Sequence, residues 1–397
     1  MHREQLVALT EFVVWALACG WCARAYQVLK HLPSMPWLDD ERWLREPLHG
    51  ALLTVVVPAC NEEAALGASL ETLAQQTLSP LQIIVVDDRS TDRTGAIADE
   101  FAARFPERFT VLHVTELPRG WLGKTHALQQ GLMASSSEYV LFTDADVLFA
   151  PSMLERALRF AVHTRADHLV VLPTLEVKSW REAMVLGVFQ AAGALAVRPW
   201  KVSDEHARRD AVGLGAFNMV RRQALEEIGG LQLQRLAVIE DGVLGWRMKA
   251  ARKRQRLAFA TEKMRLHWAA GAGGLVRTMG KNLFAAFGFR LWLAAAVLLG
   301  LCVAFLAPVA GLFWGRTMLP CAIALVSMAS IYTSYAPVSG IPRSAFWSMP
   351  FGALMMCWAM LRSVLVTLKD RGVRWRGTLY PIGNLKAQNT PWRWWKR

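Results

Sequence analysis

Cysteine is scarce in this chain and badly placed for cross-linking: of six in 397 residues, Cys19, Cys22, Cys302, Cys321 and Cys357 fall in apolar segments and Cys60 follows a strand-like run. That distribution excludes a disulfide framework and points to a reducing compartment around any soluble part. Cys19 and Cys22 have the spacing of a redox pair, but they sit in a membrane-like segment with no βαβ context. Charge is thin too. Only 19% of residues are charged against 53% hydrophobic, which is too apolar for a purely soluble protein. Acid is in deficit, with 32 Asp and Glu against 45 Lys and Arg. The basic excess gathers in residues 247–256 and 369–397 without a nucleic-acid motif, so anionic lipid head groups or phosphates are the expected partners and nucleic acid is not. No Walker loop is present, because Gly120, Gly123 and Lys124 have the wrong spacing for one.

The apolar residues fall into blocks. Residues 6–22 are apolar apart from Thr10 and Glu11 and are followed by Arg24, Lys30 and His31. With no small-residue cleavage pattern, 1–30 reads as an uncleaved transmembrane anchor whose basic flank faces the cytoplasm. Prolines and charges make 31–50 a linker, and 51–267 alternates between strand-like and helical patterns. Residues 268–290, with Trp268, Arg277, Lys281 and Phe284, read as an amphipathic segment lying on the membrane. Three stretches within 291–368, namely 291–314, 318–337 and 346–368, are long enough to cross a bilayer. Together with the anchor they put the basic, aromatic tail 369–397 opposite the soluble domain, against the positive-inside rule. Ser327, Ser330, Thr333 and Ser334 make the middle stretch the doubtful crossing, so the side of the tail stays open. Tail aromatics such as Trp375 and Trp392 suit an interfacial anchor.

Within 51–267, residues 52–58 and 81–86 are apolar runs without alternation, each followed by a helical stretch. This is the pattern of a mostly parallel sheet covered on both faces, with its crevice at the strand carboxyl ends. Acidic residues arrive there repeatedly. Asn61-Glu62-Glu63 follows the first run, where Glu62 is either helix-dipole compensation or a donor-site group. Asp87-Asp88-Arg89-Ser90-Thr91-Asp92 ends the second; Asp88 can accept hydrogen bonds from a nucleobase or ribose, while Asp92 suits a helix cap. A third run closes on Thr143-Asp144-Ala145-Asp146, and the two-residue period of a strand points both aspartates the same way, as a Mg²⁺ or Mn²⁺ clamp on a diphosphate. Lys124, opening a helix after Gly120 and Gly123, can neutralise phosphate. Gly213 and Gly215 precede a helix that ends at Gly229-Gly230, and Glu240-Asp241 opens another helix.

The order of Val56-Val57-Pro58-Ala59-Cys60-Asn61-Glu62-Glu63, Val86-Asp87-Asp88-Arg89-Ser90-Thr91-Asp92 and Thr143-Asp144-Ala145-Asp146 resembles the nucleotide-sugar-binding half of family 2 glycosyltransferases. The Gly-Trp-x-Gly-Lys-x-His-Ala pattern from Gly120 to Ala127 is similar to that of hopanoid-associated and carotenoid-acid members. The resemblance implies an α/β GT-A fold with a Rossmann-like mixed sheet, flanked by N-terminal and C-terminal transmembrane helices. It implies that Asp88, Lys124 and, more weakly, Glu62 contact a nucleotide-diphosphate sugar donor, and that Asp144 and Asp146 hold Mg²⁺ or Mn²⁺. It places Gly215 beneath the acceptor pocket with Glu240 beside it, and makes Asp241 the general base. Such a base is what the chemistry requires when an acceptor hydroxyl attacks an anomeric carbon.

The Gln-x-x-Arg-Trp element of processive relatives is missing after Asp241, which favours one sugar, or a few, per acceptor. The expected activity is inverting, metal-dependent, non-processive transfer to a lipid or isoprenoid acceptor. The setting is an integral membrane protein of bacterial inner-membrane type with a cytoplasmic catalytic domain. A polyprenyl-phosphate acceptor, or a non-catalytic protein that keeps the binding fold, are the alternatives. Nothing in the sequence names the sugar or a protein partner.

Overall fold

The computed structural model describes residues 3–389, so the final aromatic run around Trp392 lies outside the described residues. The chain divides into two compact units. The first contains Pro36–Leu175, Pro199–His267 and the tail from Gly383. Its framework is one eight-stranded sheet of β1 (Leu53–Ala59), β2 (Leu81–Asp88), β3 (Phe109–Val114), β4 (Tyr139–Phe142), β5 (Val147–Phe149), β6 (His168–Leu175), β7 (Asn218–Arg221) and β8 (Gln255–Leu266). The spatial order is β3-β2-β1-β4-β7-β6-β8-β5.

The absence of alternation in the first two runs has a direct cause. Val55 and Val57 of β1 pack with Leu66, Leu70 and Ile83 on one face, while Val56 joins Ile84, Ala127 and Leu132 on the other. Both faces are covered by helices, so both need apolar side chains. Strands β3, β2, β1 and β4 are parallel, which brings the ends of β1, β2 and β4 to one edge. The mixed α/β sheet expected of a GT-A fold is therefore present.

Two antiparallel pairings decide what else reaches that edge. In β7 against β4, Asn218 faces Phe142, so the loop entering β7 arrives beside Asp144. In β8 against β5, Leu266 faces Val147, so the residue leaving β8, His267, arrives beside Asp146. Behind the edge lies a buried polar network. His168 Nε2 meets Asn218 Oδ1, and its Nδ1 lies 2.7 Å from Gln255 Nε2, which also donates to Val212 O at 2.8 Å. Burial pushes His168 down to about 4, so the ring is neutral, with Nε2–H donating to Asn218 and Nδ1 accepting from Gln255.

Residues 36–48, read as linker from their prolines, are tied into this unit. Phe259 N donates to Pro36 O and Leu38 N to Phe259 O, so the segment borders β8. Arg156, fully buried, donates to the carbonyls of Leu38, Asp39 and Asp40.

The second unit comprises the segment through Met35, Glu176–Arg198 and Trp268–Ile382. Four of its helices are long and apolar enough to cross a membrane: Glu4–Ser34, Leu291–Gly311, Met318–Ser339 and Arg343–Lys369. The second carries a π turn at Cys302–Leu306 just before Pro308, the local widening that accommodates a proline inside a helix. The amphipathic segment forms the helix Gly271–Ala286, whose Phe284 amide donates to Ser363 Oγ at 3.0 Å. The helix Trp180–Ala196, apolar on most of its surface, also belongs to this unit although it interrupts the sheet domain in sequence. All six cysteines are free.

Candidate active site

The site forms where loops leave β4, enter β7 and start the helices Gly123–Ala134 and Glu240–Ala250. Lys124 reaches across it, with Nζ 2.6 Å from Asp144 Oδ1 and 2.7 Å from Glu240 Oε1. Burial would lower this ammonium, but Asp144, Glu240 and Asp241 together hold it well above its ordinary value, so it is charged. Asp241 Oδ2 accepts Gly215 N–H and Oδ1 accepts Gly242 N–H, both at 2.7 Å. Burial first, and then repulsion from Glu240, push its carboxyl up to about 7.

Glycine at 213 and 215 is a requirement of close approach. A Cβ on Gly215 would stand 2.5 Å from Asp144 Oδ2, and one on Gly213 would stand 1.8 Å from Asp241 O. The loop presses against both acidic groups at once, and any side chain would separate them.

Asp144 and Asp146 lie in the turn between β4 and β5, so the two-residue strand period expected to align them does not apply; burial plus the Asp144 charge raise Asp146 to about 6, partly offset by Lys124 and His267. His267 was not singled out in the sequence, and no spacing marks it. Its place follows only from the β5–β8 pairing. Among the described residues no three His, Cys, Asp or Glu side chains are gathered closely enough to hold a metal as they stand. The donor chemistry nevertheless fits one. Asp144 and Asp146 are hard oxygen ligands of the kind Mg²⁺ and Mn²⁺ prefer, His267 adds an imidazole, and the raised Asp146 marks a carboxylate short of positive charge.

Asp88 lies close against Gly123, the residue before Lys124, but neither it nor Glu62 lines the cleft. The cleft beside Lys124 is lined by Asp144, Gly215, Asn218, Gln234, Glu240 and Asp241 among others, and by neither of those two. Asp88 is 2% exposed, and Arg89 forks onto it, Nε to Oδ1 at 2.8 Å and Nη2 to Oδ2 at 3.1 Å. Arg89 adopts φ +59°, a left-handed conformation uncommon outside glycine. Glu62 donates its amide to Thr94 Oγ1 at 2.8 Å. Asp92 accepts the Thr94 amide at 3.0 Å, the local bond expected of a residue at a helix start.

Gln234 is a second residue that sequence reasoning missed. Its Nε2 donates to Glu240 O at 3.0 Å while its Oε1 accepts from Arg247 at 2.8 Å. Arg247, 3% exposed, also donates to Ile228 O, so the arginine nearest to a Trp-Arg element is committed to holding the loop.

The sheet edge thus gathers an acidic pair, a lysine and a buried carboxylate raised to about 7. Residues 54–229 match the family described as Glycosyl transferase family 2. It is 28% identical over 196 residues to a 4,4'-diaponeurosporenoate glycosyltransferase of Staphylococcus aureus (strain MRSA252), covering 49% of this chain and 50% of the relative. The chain thus spans about half the length of the curated relatives it matches. Among solved structures, a mannosyltransferase from Pyrobaculum calidifontis in complex with GDP-Man and Mn2+ overlaps with TM-score 0.46 at 18% identity, covering 90% of this chain and 99% of that one. TarS of S. aureus overlaps with TM-score 0.39 at 15% identity, covering 82% and 56%.

Proposed function

We propose that the protein transfers a sugar from a nucleotide-diphosphate donor to a lipid or isoprenoid acceptor at the membrane, in one metal-dependent displacement that inverts the anomeric carbon. The observation that carries this reading is Asp241, a carboxylate at about 7 in a glycine-walled position beside Lys124 and Asp144. A base with that affinity takes a proton at neutral pH and releases it again. The acceptor hydroxyl gives its proton to Asp241 as its oxygen bonds the anomeric carbon, and the bond from that carbon to the diphosphate breaks on the opposite face. Lys124 neutralises part of the charge left on the diphosphate. Asp144, Asp146 and His267 would hold Mg²⁺ or Mn²⁺, which when bound adds electrophilic stabilisation of the same leaving group.

Non-processive transfer is supported by Arg247, whose guanidinium is spent on Gln234 and Ile228. A lipid acceptor is supported by the four apolar helices and by the named activity of the curated relatives. One contact bears on the side of the tail. Asn389 of the tail bonds Val238 of the catalytic unit, which supports a reading with tail and site on one side of the membrane. On that reading an even number of the three apolar helices between Leu291 and Lys369 crosses it, and we place the catalytic side in the cytoplasm from the basic flank of the N-terminal helix.

The test is transfer by the purified, detergent-solubilised protein from labelled UDP-glucose and GDP-mannose, with Mn²⁺, into a bacterial lipid extract, read by lipid mass spectrometry. The expected result is a singly glycosylated lipid that disappears with EDTA. Asp241→Asn should keep donor binding and lose transfer, and normal turnover by that variant would end the assignment.

A further inference from the structure

Residues 235–239 join the turn Leu231–Gln234 to the helix that opens with Glu240 and Asp241. Leu236, Ala237 and Val238 are buried, yet the segment lies outside the sheet, so its backbone groups need partners from elsewhere. Those partners come from two directions. On one side Arg235 O accepts Leu122 N–H at 2.9 Å and Thr125 Oγ1–H at 2.7 Å, which ties the segment to the first turn of the Lys124 helix.

On the other side stands the tail. Gln388 Oε1 accepts Leu236 N–H at 2.5 Å, Asn389 Oδ1 accepts Val238 N–H at 2.7 Å, and Asn389 Nδ2 donates to Leu236 O at 2.9 Å. Asn389 also donates to Leu385 O at 2.8 Å and is fully buried, so the network fixes which way its amide faces. Two side-chain amides replace a neighbouring strand, from a position 151 residues beyond Val238.

We propose that Gln388 and Asn389 are positioning residues of the transfer site: a clasp that sets where the 235–239 segment lies and, through its two ends, where Lys124 and Asp241 stand. The assignment rests on the catalytic reading above. The segment ends at Glu240 on one side and binds the start of the Lys124 helix through Arg235 on the other, and the Lys124 ammonium closes the loop by pairing with Glu240. Releasing the clasp lets the base and the cation move independently, which costs the chemical step more than donor binding.

Full-length Asn389→Ala, Gln388→Leu and Gln388→Glu variants test this by amide hydrogen exchange and by kcat and KM with whichever of UDP-glucose or GDP-mannose the wild type uses. In Asn389→Ala, exchange at Leu236 and Val238 should rise ~10-fold or more while β1 and β2 amides stay protected. Its kcat should fall about tenfold or more with donor KM within about threefold. Gln388→Glu keeps an acceptor for Leu236 N–H and should restore both readouts, whereas Gln388→Leu should follow Asn389→Ala more weakly. Unchanged exchange over 234–242, or raised exchange with kcat unchanged, overturns the clasp. If Asn389→Ala unfolds and the β1 amides exchange as well, the half-buried Gln388 pair decides by the same criteria. A wild type that transfers no sugar would refute the catalytic reading, while the exchange arm would still decide whether the clasp orders the segment.

Discussion

At the ends of β1 and β2 the acidic groups have dedicated donors: Asp88 holds Arg89, Asp87 lies 3.1 Å from His113, Glu63 accepts the Arg93 amide and Asp92 the Thr94 amide. Around the end of β4, by contrast, Asp144, Glu240 and Asp241 crowd about one ammonium, that of Lys124, and Asp146 and Asp241 are pushed up to about 6 and about 7. The carboxylates of the first group are each paired within the local structure. The second is short of positive charge, and such a deficit is what a cationic cofactor or a transferable proton would relieve. The same residue type at the same sheet edge is therefore paired in one half and short of countercharge in the other.

Asp241→Asn should produce the largest effect. Removing the base should lower kcat about 100- to 10,000-fold with little change in donor binding, measured by single-turnover transfer and by donor calorimetry. Next comes Lys124→Met, which leaves Asp144 and Glu240 without their shared cation. It should cost about 100-fold in kcat. Because Lys124 lowers the Asp241 carboxyl, the variant should also move the rate profile to higher pH. If either substitution is neutral, the contrast between the two halves fails.

The pH profile sharpens the contrast without mutation. The base acts deprotonated, so kcat/KM of the free enzyme should rise with pH through about 7, the value to which Asp241 is raised. The sign for stability is the reverse. Asp241 binds its proton more tightly folded than unfolded, so its contribution to stability falls as pH rises from 3.8 toward about 7. In Asp241→Asn both dependences should flatten.

The paired half was the more legible of the two in sequence. Apolar runs without alternation announced a sheet covered on both faces, and acidic residues after each run announced its carboxyl edge. Asp144, Glu240, Asp241, Gly215 and Lys124 were also within reach, because each follows a local signal and the structure brings them together. What could not be read depends on pairing between distant segments. His267 reaches Asp146 only because β8 runs antiparallel to β5. Gln234 matters through one carbonyl and one guanidinium, and Asn389 through a loop 151 residues away. The helix Trp180–Ala196 reads locally as part of the domain it interrupts, and only its packing assigns it to the apolar unit. Periodicity carries no register between remote strands, so these contacts had no signature.

The smallest predicted effect is the sharpest probe of where the boundary between the halves runs. Glu62 resembles a donor contact by motif, yet its amide is bound by Thr94 Oγ1, its carbonyl accepts the amides of Ala65 and Leu66, and it does not line the Lys124 cleft. Its charge sits just before the helix Leu66–Ala74, where an anion contributes on the order of 0.3–1 kcal/mol through the helix dipole. Glu62→Gln keeps the side-chain shape and removes its negative charge. The transfer rate and donor KM should therefore change by less than about threefold, and the melting temperature should drop by a few degrees at most. A loss as large as that of Lys124→Met would mean that the chemical half of the edge extends across β1, and that the local hydrogen bonds of Glu62 conceal a contact made only when donor is present.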